Sequence, residues 1–214
     1  MANRYTTNPV ADLGTVDYSA SLVLQRKLVE LVKKGEIGDV LLILDHPPVF
    51  TVGRGKKPEN YSGVEVVETE RGGDVTYHGP GQLVVYPIID LEKNEINGAR
   101  KLVHLIEEIV IASIGKFGYT VIVGDEPGVW SDGKKVASIG LAIKGNVSFH
   151  GISINISEEV LDGFSKINPC GLDPKKIGFV KIDRSAIKRE LIENFEKSIH
   201  PFEEVDAGFF DGMI

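Results

Sequence analysis

The sequence predicts an α/β protein in which helices alternate with strands, at least two of them antiparallel. Three observations carry this. Tyr18 to Lys34 sets Leu24, Leu28, Leu31 and Val32 at helical spacing and runs into Gly35, a helix-stopping residue. Asp39 to Leu44 is a compact aliphatic run that breaks at Asp45-His46-Pro47-Pro48, the pattern of a buried strand entering a proline-fixed turn. Val136 to Lys144 and Asn146 to Ile156 flank a Lys144-Gly145-Asn146 turn, which marks a hairpin rather than a crossover.

The remaining elements follow in order. Val64 to Thr69 and Gln82 to Asp90 read as strands, and Gly98 to Phe117 as a helix with Leu102, Leu105, Ile106, Ile109 and Val110 on one face. Tyr119 to Val123 reads as a further strand. Ile187 to Ser198 forms a third helix through Ile187, Leu191, Ile192 and Phe195, and the mixed stretch between Cys170 and that helix suggests a small lid or tail subdomain. With 214 residues and 42% hydrophobic content the chain buries a sizeable core, and one domain over residues 1–214 is expected.

Composition excludes several classes. A single cysteine rules out an internal disulfide framework and a four-cysteine zinc site, and it suits a reducing compartment, so the cytoplasm is expected. Met1-Ala2-Asn3-Arg4-Tyr5 lacks the pattern of a signal peptide, and no apolar run reaches the length of a membrane span. The net charge of −7 argues against broad nucleic-acid binding. No pair of histidines shows metal-ligand spacing, so a metal cofactor is not expected.

Four segments can carry chemistry. Cys170 lies in Ile167-Asn168-Pro169-Cys170-Gly171-Leu172, a loop that suits access; the residue alone fits a buried packing thiol or a reactive thiolate. Arg71 to Gln82 packs four glycines, an arginine and His78 into twelve residues. Such glycines let backbone N–H groups approach a ligand, or they simply form two turns around a short strand. The segment is neither a Walker loop nor a dinucleotide fingerprint.

In Gly128 to Gly140, Lys135 stands at the entrance of an otherwise apolar strand. Its ammonium either snorkels to solvent or, turned into an apolar cleft, becomes a usable base that also stabilises a thiolate. Strict alternation puts Lys135 and Ala137 on one face, with Val136 and Ser138 on the other. Ser148 to Ile156 alternates around Gly151 and forms either a pocket wall or a plain core strand.

Arg71-Gly72-Gly73 with Thr76-Tyr77-His78-Gly79-Pro80-Gly81-Gln82, then Lys135 to Gly140, Phe149-His150-Gly151 and Asn168-Pro169-Cys170-Gly171, together resemble the lipoyl(octanoyl) transferases. The blocks stand in the family's order and span Arg71 to Leu172, with looser similarity outside. The resemblance implies a mixed, largely antiparallel sheet flanked by helices, the fold shared with biotin and lipoate protein ligases. It implies transfer of octanoyl from acyl carrier protein to a lysine of a lipoyl-domain protein, by a monomer working without membrane, nucleic acid or cofactor. Cys170 corresponds to the family's nucleophile and Lys135 to its general acid/base. Arg71, Gly72, Gly73, Tyr77, His78, Gly79, Ser138, Ile139, Gly140, His150 and Gly151 correspond to acyl-pocket and oxyanion contacts. A basic rim from Arg71, Lys134, Lys175 and Lys176 is expected to receive acidic partners. The rival readings are an ATP-dependent lipoate or biotin ligase and a non-catalytic acyl or carrier-domain binding module.

Overall fold

Residues 7–124 and 126–211 are described by a computed structural model. The chain runs β1 (Pro9–Thr15), α1 (Tyr18–Lys34), β2 (Val40–Asp45), β3 (Val49–Val52), β4 (Val67–Glu68), β5 (Val75–His78) and β6 (Gln82–Ile88). It continues with α2 (Gly98–Gly115), β7 (Ile122–Val123), β8 (Gly128–Ser131), β9 (Lys134–Lys144), β10 (Val147–Asn155), α3 (Val160–Phe164), α4 (Arg184–Ser198) and β11 (Glu203–Val205).

Helix α1 forms where its sequence dictates. The Asp17 side chain caps it by accepting from Ala20 N–H at 3.0 Å. Gly35, left-handed at φ 69°, closes it with its N–H on the Leu31 and Val32 carbonyls. The β9–β10 hairpin turns on Gly145 and Asn146, both at positive φ (56° and 67°), the geometry that matches strand twist in a two-residue turn.

Eight strands form the main sheet in the order β11-β1-β2-β6-β10-β9-β8-β7. β1 runs parallel to β2 and β11, and every other pairing in that sheet is antiparallel. A smaller sheet, β4-β3-β5, lies beside it. The mixed, largely antiparallel α/β architecture is therefore the observed one.

Both faces of the main sheet are covered, which explains the unbroken aliphatic run of β2. Leu41 and Ile43 join the core beneath α2 and α4, while Val40, Leu42 and Leu44 join the core beneath α1. A third cluster, with Val75, Tyr77, Val160, Phe164, Ile167 and Ile177, ties the small sheet to α3 and to the segment bearing Cys170.

Three expectations need correction. Val64 to Thr69 pairs only at Val67–Glu68, and Tyr119 to Val123 only at Ile122–Val123, because each sits at a sheet edge with a single neighbour. Residues 172–183 form no separate lid. Gly178 N–H donates to Lys135 O and Val180 N–H to Asn155 O, both at 2.9 Å, and α4 then packs Ile187, Leu191 and Phe195 into the core shared with α2. No helix among the described residues is long and apolar enough to cross a membrane.

Candidate active site

Cys170 occupies a single 3₁₀ turn, Pro169–Gly171, and is half-buried. Gly171 N–H donates to Asn168 O at 2.9 Å and Asn168 N–H to Asn60 O at 2.8 Å, so the turn is bolted to the β3–β4 connection. Cys170 itself is left-handed, at φ 54° and ψ 26°, a conformation that costs a non-glycine residue about 1–2 kcal/mol. His150, at φ 56°, is likewise left-handed. Both line the same cavity, where stored strain commonly marks function.

Lys135 reaches that cavity because β9 carries a bulge. Val129 pairs with Ala137 but Trp130 pairs with Lys135, which leaves Val136 unpaired. Alternation is broken there: Val136 and Ala137 both enter the α2/α4 core, and Lys135 turns to the cavity, contrary to the two-face arrangement expected of a regular strand. The side chain is 5% exposed and makes no ion pair among the described residues. Burial pushes its ammonium below the usual lysine range, against the opposing charges of Cys170, Glu126 and Glu107. Gly128, at φ 136°, is required beside it, since a Cβ there would come within 2.7 Å of Lys135 Cε and onto the Ala137 carbonyl.

Arg71 is a second buried cation. Its Nη2 donates to Thr51 O at 2.8 Å and Nη1 to Gly72 O at 3.0 Å, with no carboxylate at ion-pair distance among the described residues. Desolvation lowers its proton affinity. The side chain crosses β9 at Gly140, where a Cβ would sit 3.2 Å from Arg71 Cδ. Gly72 N–H donates to Leu141 O and Gly55 N–H to Gly73 O, each at 2.9 Å, so this glycine turn is clamped from both sides. A Cβ on Gly73 would lie 3.9 Å from Cys170 Sγ.

Between these groups lies a cavity of about 350 Å³. Ala99 and Val103 of α2, with Ile139, Leu141, Ile152, Leu172 and Ile177, give it apolar walls. One side is aromatic and polar. Tyr18 stacks on His78 at 5.7 Å, and its hydroxyl faces His150 Nδ1 at 3.4 Å. His78 Nδ1 donates to Gln82 Oε1 at 2.7 Å, and His150 N–H donates to Gln25 Oε1 at 2.8 Å. Burial drops His78 to about 3 and His150 to about 4, so both rings are neutral near pH 7. His78 is thus a neutral hydrogen-bonding wall, not a base poised for neutral pH.

The fold brings together Cys170, Lys135, Arg71, Gly72, Gly73, His78, Ser138, Ile139, Gly140, His150 and Gly151 around this cavity. It does not bring Tyr77 or Gly79. The Tyr77 ring faces the other way, packed on Phe50 at 5.2 Å and Phe164 at 5.8 Å, and it covers Gly79. Sequence reasoning missed Tyr18, Tyr86, Glu126, Ala99 and Val103. Each sits within or beside a regular element, and only the tyrosine hydroxyls inside apolar runs hinted at a polar lining. Arg71, expected on a basic rim, is 6% exposed and forms part of the cavity wall instead.

Residues 17–195 match the model of the lipoyl protein ligase A/B catalytic domain. An octanoyltransferase of Geobacter metallireducens is 45% identical over 168 residues, covering 76% of this chain and 77% of the relative. The chain belongs to the octanoyltransferase family. It is an enzyme of lipoylation that transfers octanoyl groups. The likeness reaches well upstream of Arg71 and downstream of Leu172, further than the sequence blocks alone indicated. The octanoyltransferase fold also matches a lipoate-protein ligase A bound with ATP (TM-score 0.77, 14% identity, 94% of this chain and 89% of that one). A biotin acetyl coenzyme A carboxylase synthetase of Helicobacter pylori matches less closely (TM-score 0.55, 10% identity, 91% and 76%).

Proposed function

We propose that this single-domain octanoyltransferase works through a thioester on Cys170, taking octanoyl from an acyl carrier protein and passing it to a lysine of a lipoyl domain. The observation that carries the proposal is the pairing of a half-buried thiol with a buried, unpaired lysine ammonium across one apolar-walled cavity.

The Cys170 thiolate attacks the donor thioester carbonyl, the carbonyl–sulfur bond to the carrier breaks, and octanoyl is left on Sγ. Lys135 takes the thiol proton and returns it to the departing carrier thiolate. It then accepts the proton of the acceptor amine, which attacks the enzyme thioester and regenerates the thiol. Gly73 lies near Cys170, a Cβ built there sitting 3.9 Å from Sγ, and its N–H donates to no group among the described residues, so it is the donor we assign to the tetrahedral oxyanion. The apolar walls suit an eight-carbon tail, each buried methylene contributing about 0.8 kcal/mol.

A cationic margin supports acidic partners. Arg54, Lys57, Lys134, Lys166, Lys175 and Lys176 are exposed, make no ion pair among the described residues, and belong to segments hydrogen-bonded to, or continuous with, the Gly73 and Cys170 turns. This margin stands out against a net charge of −7 and favours encounter with acidic carrier domains.

The test is a transfer assay on a lipoyl domain lacking its modification. Octanoyl-carrier without ATP should support modification, while free octanoate with ATP should not. The reverse result would make the enzyme a ligase.

A further inference from the structure

Glu107 is a carboxylate where α2 calls for an apolar side chain. It sits beside Leu102, Ile106, Ile109 and Val110 on the face packed against the main sheet and is 2% exposed. A buried carboxylate costs several kcal/mol unless its oxygens are satisfied, and a leucine would fill the same space without that cost. The other buried acids among the described residues serve turns. Asp39 holds Asp90 N–H and His200, Asp74 holds Lys57 N–H, and Asp90 holds the Glu92 and Lys93 N–H groups. Glu107 instead reaches out of a helix toward the cavity wall. Its Oε1 accepts from Gly128 N–H at 3.1 Å, and its Oε2 accepts from His104 Nδ1 at 3.1 Å.

The residue it holds is the one on which Lys135 rests. Gly128 lies so close under the lysine stem that a Cβ would come within 2.7 Å of Lys135 Cε. Building on the reading of Lys135 as acid/base, we propose that Glu107 is a positioning residue for Lys135: through Gly128 it fixes the seat of the lysine stem, and its buried charge balances the ammonium that faces Cys170.

Three groups can oppose that ammonium's loss of charge: Cys170 from the 3₁₀ turn once it is a thiolate, Glu126 from the connection into β8, and Glu107 from α2. Cys170 loses its charge when it becomes a thioester, and Glu126 is partly solvated. Glu107 is the fixed buried anion through both half-reactions, so it sustains the proton affinity of Lys135 when the acceptor amine must give up its proton. No bond to Glu107 forms or breaks, and the proton moves between substrate and Lys135 Nζ only.

The test is an NMR titration of the Lys135 side chain in isotope-labelled enzyme, its signal assigned by loss in Lys135→Met, compared between wild type and Glu107→Gln. The glutamine keeps an acceptor for Gly128 N–H and can donate to His104. The expected result is a folded variant whose Lys135 midpoint falls by about one pH unit or more, with the acid limb of the transfer rate moving the same way. An unchanged midpoint overturns the inference. Should Glu107→Gln fail to fold, Glu107→Asp, which withdraws the charge by one methylene, must show a smaller downward shift, and an unshifted midpoint there overturns it equally. Full transfer activity in Lys135→Met would instead defeat the acid/base reading, and the titration reports on Glu107 separately from that outcome.

Discussion

Two ends of the same sheet handle their inward-turned cations in opposite ways. At one end Arg184 of α4 is paired with two carboxylates: Nη1 and Nη2 donate to Asp12 of β1 at 2.7 and 2.8 Å, and Nε donates to Asp45 of β2 at 2.9 Å. Lys188 adds a contact to Asp12 at 3.1 Å. The Arg184 hydrogen bonds hold the Asp12 carboxyl well below the usual carboxylate range. At the other end Lys135 is more deeply buried and has no ion-pair partner among the described residues. A cation paired with two carboxylates pins secondary structure together. One left unmatched in a cavity that also holds a thiol is, on the function proposed above, the group free to move protons.

The sharpest way to break this contrast is at the thiol. Cys170→Ala should lower octanoyl transfer by at least about 10³-fold while leaving thermal denaturation nearly unchanged, because only a half-buried sulfur is lost. Lys135→Met should follow with a loss of about 10²–10⁴-fold in the transfer rate. Its folded state should be as stable as wild type or more so, since the methionine removes a buried, unpaired charge.

Arg184→Met should do the converse. Transfer per folded molecule should hold, while denaturant unfolding shows a loss of about 2 kcal/mol from leaving Asp12 and Asp45 unpaired in a partly solvated site. Equal effects of the two methionine substitutions on stability would dissolve the contrast.

The neutral histidines of the cavity add a pH dependence. His78 and His150 bind protons at about 3 and about 4 when folded, against 6.5 when unfolded. Between these values the unfolded chain holds more protons, so stability should rise with pH from about 4 to about 6.5 and fall on acidification through that window, by a few kcal/mol in total. Urea unfolding at a series of pH values checks this. A His150→Gln variant that folds should show a shallower slope.

Local signals made much of the fold legible. Gly35 closes α1, Gly145-Asn146 turns the hairpin, and the aliphatic run of β2 announces a buried strand. β1 was not legible, because Pro9–Thr15 becomes a strand only by parallel pairing with β2 and β11, contacts that leave no local period. The sequence named most of the residues that line the candidate site but not their geometry. Arg71, Lys135 and Cys170 announced themselves by type and setting. The bulge at Val136 that turns Lys135 into the cavity follows from pairing with β8, and the outward-facing Tyr77 ring follows from packing on Phe50 and Phe164. Glu107 gave one faint signal, a charge on an otherwise apolar helix face.

The central claim, an acyl group carried on Cys170, is tested most directly by intact-protein mass spectrometry after incubation with octanoyl-loaded acyl carrier protein and no ATP. The account predicts a hydroxylamine-labile octanoyl adduct on the wild-type enzyme and none on Cys170→Ala. An adduct of equal yield on Cys170→Ala, or transfer to the lipoyl domain with no adduct on either protein, would contradict it.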